Sequence, residues 1–119
     1  MKLIPIILIL FLAACSFDQP TYRLDKEIID LGKLEKNDPA IANFTLFNSG
    51  KVDLKVEKVL TDCHCTIASV PDFSINPGDS VILKINYDKN RKGFFEQTAS
   101  VYFKDIDYPQ LLIIRGDVK

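Results

Sequence analysis

Apolar side chains recur at every second position along most of this chain. That period belongs to β-strands, whose successive side chains point to opposite faces. The clearest run is Val81, Leu83, Ile85 and Tyr87. Phe95, Gln97, Ala99, Val101 and Phe103 share one face of a further strand, and Leu112, Ile114 and Val118 line a last one. Earlier in the chain, residues 22–31 open with Leu24 and Ile28 in phase and continue with Ile29 and Leu31 after a phase slip. Residues 41–47 put Phe44 and Leu46 on one face, and Leu54, Val56 and Lys58 alternate before Val59 and Leu60. Residues 66–70 form a short strand ended by Pro71-Asp72, and Phe73 and Ile75 precede a turn.

Turn chemistry separates these runs. Asn48-Ser49-Gly50 is read as a turn because Asn and Gly tolerate positive φ. Asn76-Pro77-Gly78-Asp79 carries the residues of a tight turn. Gly32 with residues 33–39, the polar residues 89–93 and Tyr108-Pro109 complete the set. About seven strands at this spacing in about 100 residues predict an all-β fold, an immunoglobulin-like β-sandwich. An up-and-down barrel would need more strands at a more even spacing.

The first residues follow a different logic. Lys2 precedes a run from Leu3 to Leu12 that holds no charge. The run is shorter than the roughly 20 residues a membrane-spanning helix needs, and it has the length of a signal-peptide core. It ends in Leu12-Ala13-Ala14-Cys15, which resembles the lipobox of bacterial lipoproteins. That resemblance implies cleavage of residues 1–14 as a signal peptide, with a diacylglycerol on the Cys15 sulfur and an acyl chain on its amine. Three acyl chains exceed the two signals that stable anchoring takes. Residues 15–21 then form a lipid-anchored tether, and residues 22–119 are one domain of about 100 residues, enough for its own core. Ser16 lacks the acidic signal that holds lipoproteins in the inner membrane of enteric bacteria. The expected location is therefore the outer membrane, facing the periplasm.

Several motifs occur in order after the anchor. They are Phe44-Thr45-Leu46-Phe47-Asn48-Ser49-Gly50, Leu54-Lys55-Val56, Asp62-Cys63-His64-Cys65-Thr66 and Ile75-Asn76-Pro77-Gly78. Tyr87-Asp88, Arg91-Lys92-Gly93-Phe94 and Ile114-Arg115-Gly116 follow. Over roughly residues 24–118 this order resembles the bacterial domain-of-unknown-function 1573 family (DUF1573), common in Bacteroidetes lipoproteins. The family is similar to Hydin-type immunoglobulin-like domains, which act as binding or scaffold modules. The resemblance implies no particular activity. His64 stands where the family usually has Gly, which narrows the backbone freedom there and adds a possible ligand.

The chemistry-bearing residues gather at Cys63, His64 and Cys65. With Cys15 assigned to lipid, these two thiols are left in an oxidising compartment. In an extended strand both sulfurs share a face and His64 points the other way. Their Cα atoms would then lie about 6.6–6.8 Å apart. Disulfides span about 4.4–6.8 Å, so a bridge needs a kink at residue 64 and would be easily reduced. Three readings stay open: a structural pair, reduced or bridged; a redox-active pair; and a soft-metal site for Cu(I). Structural zinc needs four ligands and fits poorly. An adjacent His on an extended chain cannot serve Cys63 or Cys65 as a base.

Other constellations carry less. Asp62, Asp72, Asp79, Asp105 and Asp107 lack the spacing of a calcium loop. Lys51, Lys55 and Lys58 alternate with Asp53 and Glu57 as a solvated strand face that discourages edge pairing. Asp79-Ser80-Val81 resembles a Bacteroidetes O-glycosylation triplet, which makes Ser80 a candidate acceptor. Fifteen basic against 16 acidic side chains exclude the electrostatic footprint of a nucleic-acid binder. The expectation is an envelope lipoprotein, not an enzyme, that needs no cofactor. It would bind a protein or envelope partner through sheet edges or through loops near residues 63–66 and 89–94. The alternative is a thiol-redox or copper-handling protein built on Cys63 and Cys65.

Overall fold

The computed structural model of the protein describes residues 19–64, 66–69 and 74–119. Among these residues all regular structure is β, in nine strands. They are β1 (Tyr22–Leu24), β2 (Ile28–Leu34), β3 (Ile41–Asn48), β4 (Leu54–Thr61), β5 (Thr66–Ser69), β6 (Ser74–Ile75), β7 (Ser80–Tyr87), β8 (Gly93–Phe103) and β9 (Gln110–Val118). One sheet has the order β1-β3-β7-β5 and is antiparallel throughout. The other has the order β2-β9-β8-β4-β6 and is antiparallel except where β2 runs parallel to β9.

The period of two does what it predicts. Phe44, Leu46, Leu83 and Ile85 from one sheet and Leu54, Val101, Leu112 and Ile114 from the other are almost wholly buried and join one apolar cluster. The cluster makes the fold a two-sheet, sandwich-like one. Two aromatic pairs bind the sheets near their ends. Tyr87 stacks on Phe95 with ring centroids 3.9 Å apart, and Tyr22 lies tilted on Phe103 at 4.6 Å. Aromatic pairs of this kind add to what their buried area contributes.

The described residues hold nine strands where the spacing predicts about seven. One of the two additional strands has its physical source in Asp25. Its N–H donates to the Thr45 carbonyl (3.1 Å), and its carboxylate accepts from the Lys26 and Thr45 N–H groups (both 2.8 Å). These bonds end β1 on β3, and the chain crosses to the second sheet as β2. The expected single strand over residues 22–31 is thus two, and the phase slip marks the crossing. Leu24 packs on the core from one sheet, and Ile29 and Leu31 pack on it from the other. Ile28, expected in phase with Leu24, faces outward and is exposed. Ser74 and Ile75 add the small strand β6 beside Leu54 and Lys55. The expected strand 66–70 is described as β5, and Val70 lies outside the described residues, as do Pro71, Asp72 and Phe73.

Irregularities fall where side chains change face. The register of β4 on β8 shifts between Val56 and Lys58. A bulge there leaves Glu57 and Lys58 exposed and returns Val59 to the core. Gly116 sits opposite Phe95, and a Cβ at that position would come within 2.9 Å of the Phe95 ring. The glycine gives the stacked ring its room.

The Asn48-Ser49-Gly50 turn works differently from its sequence reading, because neither Asn48 nor Gly50 takes positive φ. The buried Asn48 side chain is the organiser. Its Nδ2 donates to the carbonyls of Val52 (2.9 Å) and Ile75 (2.7 Å), and its Oδ1 accepts from the Gly50 N–H (3.0 Å). Its backbone donates to Asp79 and accepts from Gly78. Gly50 is small because Thr21 crosses it, and a Cβ would lie 2.7 Å from the Thr21 hydroxyl. One buried amide therefore ties together β3, the turn after it, β6 and the 76–79 turn.

Asn48→Ala is expected to cost about 2–3 kcal/mol, because it leaves the buried Ile75 carbonyl and the part-buried Val52 carbonyl without this donor. Urea denaturation checks this. Tyr22 gives a pH prediction. Burial, and secondarily the Glu27 carboxylate, raises its phenol above the ordinary value of 10.0. The folded state therefore holds the proton longer than the unfolded chain does. The resulting stability is complete below pH 10 and is lost as pH rises through the higher folded value. The stability difference between wild type and Tyr22→Phe should shrink above pH 10, as read from urea midpoints across pH 8 to 11.

Candidate functional site

The segment holding Cys63 and His64 leaves β4 at its Thr61 end. Pairing continues one residue beyond the strand. The Asp62 N–H donates to the Thr98 carbonyl, and the Thr98 N–H is shared by both Asp62 carboxylate oxygens, all at 3.3 Å. The chain then reverses. The Thr66 N–H donates to the Cys63 carbonyl at 3.1 Å, an i to i+3 bond that closes a turn. The Thr61 hydroxyl shares its proton between the carbonyls of Cys63 (3.2 Å) and Thr66 (3.1 Å), strapping the turn from beneath. Thr66 is buried where β5 begins, opposite Tyr87.

Cys63 is half-buried on this turn and is disulfide-bonded. The chain's other cysteines, Cys15 and Cys65, lie outside the described residues. His64 is exposed. Copper or thiol chemistry at Cys63 would first require reduction of its bond, since metals and electrophiles take the thiolate. Among the described residues, no three His, Cys, Asp or Glu side chains converge as a metal site would require. Of the aspartates considered for calcium, Asp72 lies outside the described residues and the others are spread. Asp62 caps the β4 end, whereas Asp105 and Asp107 lie in the 104–109 loop at the other end of the sandwich.

Cys63 opens onto a cleft of about 430 Å³, whose other walls are Tyr87, Asp88, Asn90, Arg91 and Gln97. The two loops singled out in the sequence, around residues 63–66 and 89–94, thus meet across one concavity. Asn90 is held by its amide to the Asp88 carboxylate (2.9 Å) and by its N–H to the Asp88 carbonyl (2.9 Å). Arg91 and Lys92 are exposed and make no ion pair among the described residues. Lys89 turns the other way. Its ammonium donates to the carbonyls of Glu35 (3.1 Å), Lys36 (2.8 Å) and Asp38, matching three N–H donors to three oxygens. This peg locks the 88–92 loop to the 35–39 turn. A second cleft, of about 530 Å³, opens between them on the far side of Tyr87 and Asp88.

The cleft at Cys63 offers donors on Arg91, Asn90 and Gln97, an acceptor on Asp88, and an aromatic wall. That set suits hydrogen bonding to a peptide or another polar chain. Gln97 escaped the sequence reading as a site residue, although it is the one polar member of the Phe95 to Phe103 face. A polar side chain in an inward register was the available signal. Thr61 and Lys89 act through backbone carbonyls of distant segments, so nothing local marks them. Ser80 is exposed at the first residue of β7, at the opposite end of the sandwich from Cys63.

No curated protein matches the chain. Among solved structures it is similar to a protein of unknown function from Porphyromonas gingivalis W83, with a TM-score of 0.74 and 19% identity. That match covers 90% of this chain and 50% of the other, so the chain spans about half the length of the Porphyromonas protein. It is also similar to the ASH/PapD-like domain 7 of human CEP192 (TM-score 0.66, 12% identity, 82% of this chain and 84% of that one). A third likeness is to the CsuC–CsuE chaperone–tip adhesion subunit pre-assembly complex of Acinetobacter baumannii (TM-score 0.62, 16% identity, 83% of this chain and 52% of that one). At such identities these are likenesses of fold. The family model described as Protein of unknown function (DUF1573) matches residues 22–118, from the first strand to the last. The chain therefore belongs to the DUF1573 family.

Proposed function

We propose that this protein is an envelope lipoprotein whose immunoglobulin-like sandwich binds a protein partner and is not an enzyme. In this reading residues 1–14 are the signal peptide and Cys15 carries the lipid. Residues 15–21 are the tether, and the domain faces the periplasm from the outer membrane. The two facing sheets and the likeness to PapD-like domains support the immunoglobulin-like assignment.

One observation carries the binding role. The tether joins β1 beside Asn48, whereas the cleft at Cys63 opens beside Tyr87, where β3 begins. The eight residues of β3 separate these ends by about 23 Å. A domain moored at Cys15 therefore turns its cleft and its exposed Arg91, Lys92 and Phe94 away from the membrane. Photo-crosslinking residues placed at Arg91 and at Phe94 should trap the same partner in native membranes, and one placed at Asp53, at the tether end, should not. Equal trapping from all three positions overturns the assignment.

The disulfide of Cys63 is assigned to Cys65. Cys15 is committed to lipid in this reading, which leaves Cys65 as the one other cysteine of this sequence to pair with Cys63. The Cys15→Ser chain should take up no alkylating agent before reduction and two equivalents after it, as measured by intact mass. Two alkylations before reduction would refute the bridge. Replacing both cysteines by Ala should lower stability by about 1.5 kcal/mol, the modest value of so small a closed loop. Exposed Ser80 remains the proposed O-glycan acceptor.

A further inference from the structure

The end of the sandwich opposite the cleft carries the most exposed large apolar side chain among the described residues, Tyr108, at 79% exposure. It stands on the loop of residues 104–109 between β8 and β9, followed by Pro109. The first described residues of the tether lie against the same loop. Gln19, Pro20 and Thr21 form one side of a cleft of about 390 Å³, and Asp105, Ile106 and Tyr108 line the other.

Tyr22 fixes this arrangement from both flanks of the loop. Its ring packs on Phe103, just before the loop, and its hydroxyl donates to the Gln110 side chain (2.9 Å), just after it. The point where the tether leaves the domain and the loop bearing Tyr108 therefore meet at one corner.

We propose that Tyr108 is a membrane-contact residue, which rests in the headgroup region of the bilayer that holds the Cys15 lipid and orients the domain upon it. The proposal rests on the lipoprotein reading. Four residue steps separate Cys15 from Gln19, which at roughly 3.3–3.6 Å each reach at most about 14 Å. An acylated Cys15 sits at the bilayer surface, so the corner holding Tyr108 is confined to that neighbourhood. Tyrosine is suited to the place, because its ring partitions into the interface while its hydroxyl stays hydrated. Asp105 and Asp107 flank it and are exposed. They keep the contact shallow and favour a zwitterionic surface over an anionic one. A single aromatic ring binds membranes weakly by itself. Held there by the tether, it acts at high effective concentration and selects one orientation.

The protein contains no Trp, so a single indole reports on its own position. Tyr108→Trp should be prepared as the acylated full chain, with the acyl mass on Cys15 verified. It is then placed in phosphatidylcholine vesicles whose chains are brominated. Emission should shift to the blue and be quenched at least about twofold, as expected of an interfacial aromatic. Phe94→Trp, at the opposite end, should stay unquenched. The Cys15→Ser form of the Tyr108→Trp chain should also stay unquenched, because the tether supplies the proximity. An acylated, vesicle-bound Tyr108→Trp protein quenched no more than Phe94→Trp overturns the membrane contact and leaves the lipoprotein reading standing. Quenching that persists in the Cys15→Ser form overturns the dependence on the tether. Absence of acyl mass on Cys15 in the native host overturns the lipoprotein reading and the contact with it.

Discussion

Burial of alternate side chains between two sheets is the constraint on which the rest of this structure depends. Phe44 and Leu83 pair across β3 and β7, and their faces meet Val101, Leu112 and Ile114 from the other sheet. A shift of register by one residue would turn all of these to water, so each strand has a single acceptable placement. The loops inherit their positions from it. The 63–66 turn lies beside the 88–92 loop because β5 pairs with β7, and Tyr87 reaches Phe95 because β8 crosses behind it.

The two ends of the sandwich are built by different devices. At the end where β1 begins, a buried amide and a clamped tyrosine organise the chain: Asn48 holds the turn, β6 and the 76–79 segment, and Tyr22 straddles the 104–109 loop. At the other end, a lysine peg and a threonine strap do the work. Lys89 holds the 35–39 turn, and Thr61 holds the turn that carries Cys63. Each uses one side chain to satisfy backbone carbonyls that strand pairing leaves free. The two ends of the domain therefore differ in construction, and the proposed anchoring and binding roles draw on that difference.

Much of the fold was legible. The inward faces of β7, β8 and β9 are those the alternation marks, since burial on one face writes itself directly into a period of two. The crossing at Asp25 was visible only as a phase slip. Which sheet a strand joins depends on distant partners, here Thr45 for β1 and Ile113 for β2. The bulge after Val56 was hidden for the same reason, because an extra residue in one strand is defined against the other. The Asn48 turn was found for the wrong cause, through its tolerance of positive φ, whereas the side chain acts through carbonyls at residues 52 and 75.

From its residues alone the chain determined strands, their inward faces, the turns between most of them, and the membership in DUF1573 that the order of its motifs implies. Local patterning suffices there, because side-chain direction and turn geometry are properties of a few neighbouring residues. Only the tertiary structure decided that Tyr22 splits away from β2 to clamp the 104–109 loop, that Cys63 faces Arg91 and Gln97 across a cleft, and that this cleft lies at the opposite end from residues 19–21. Those relations join residues tens of positions apart, and they exist only once hydrogen-bonded ladders and a shared apolar interior have chosen which segments are neighbours.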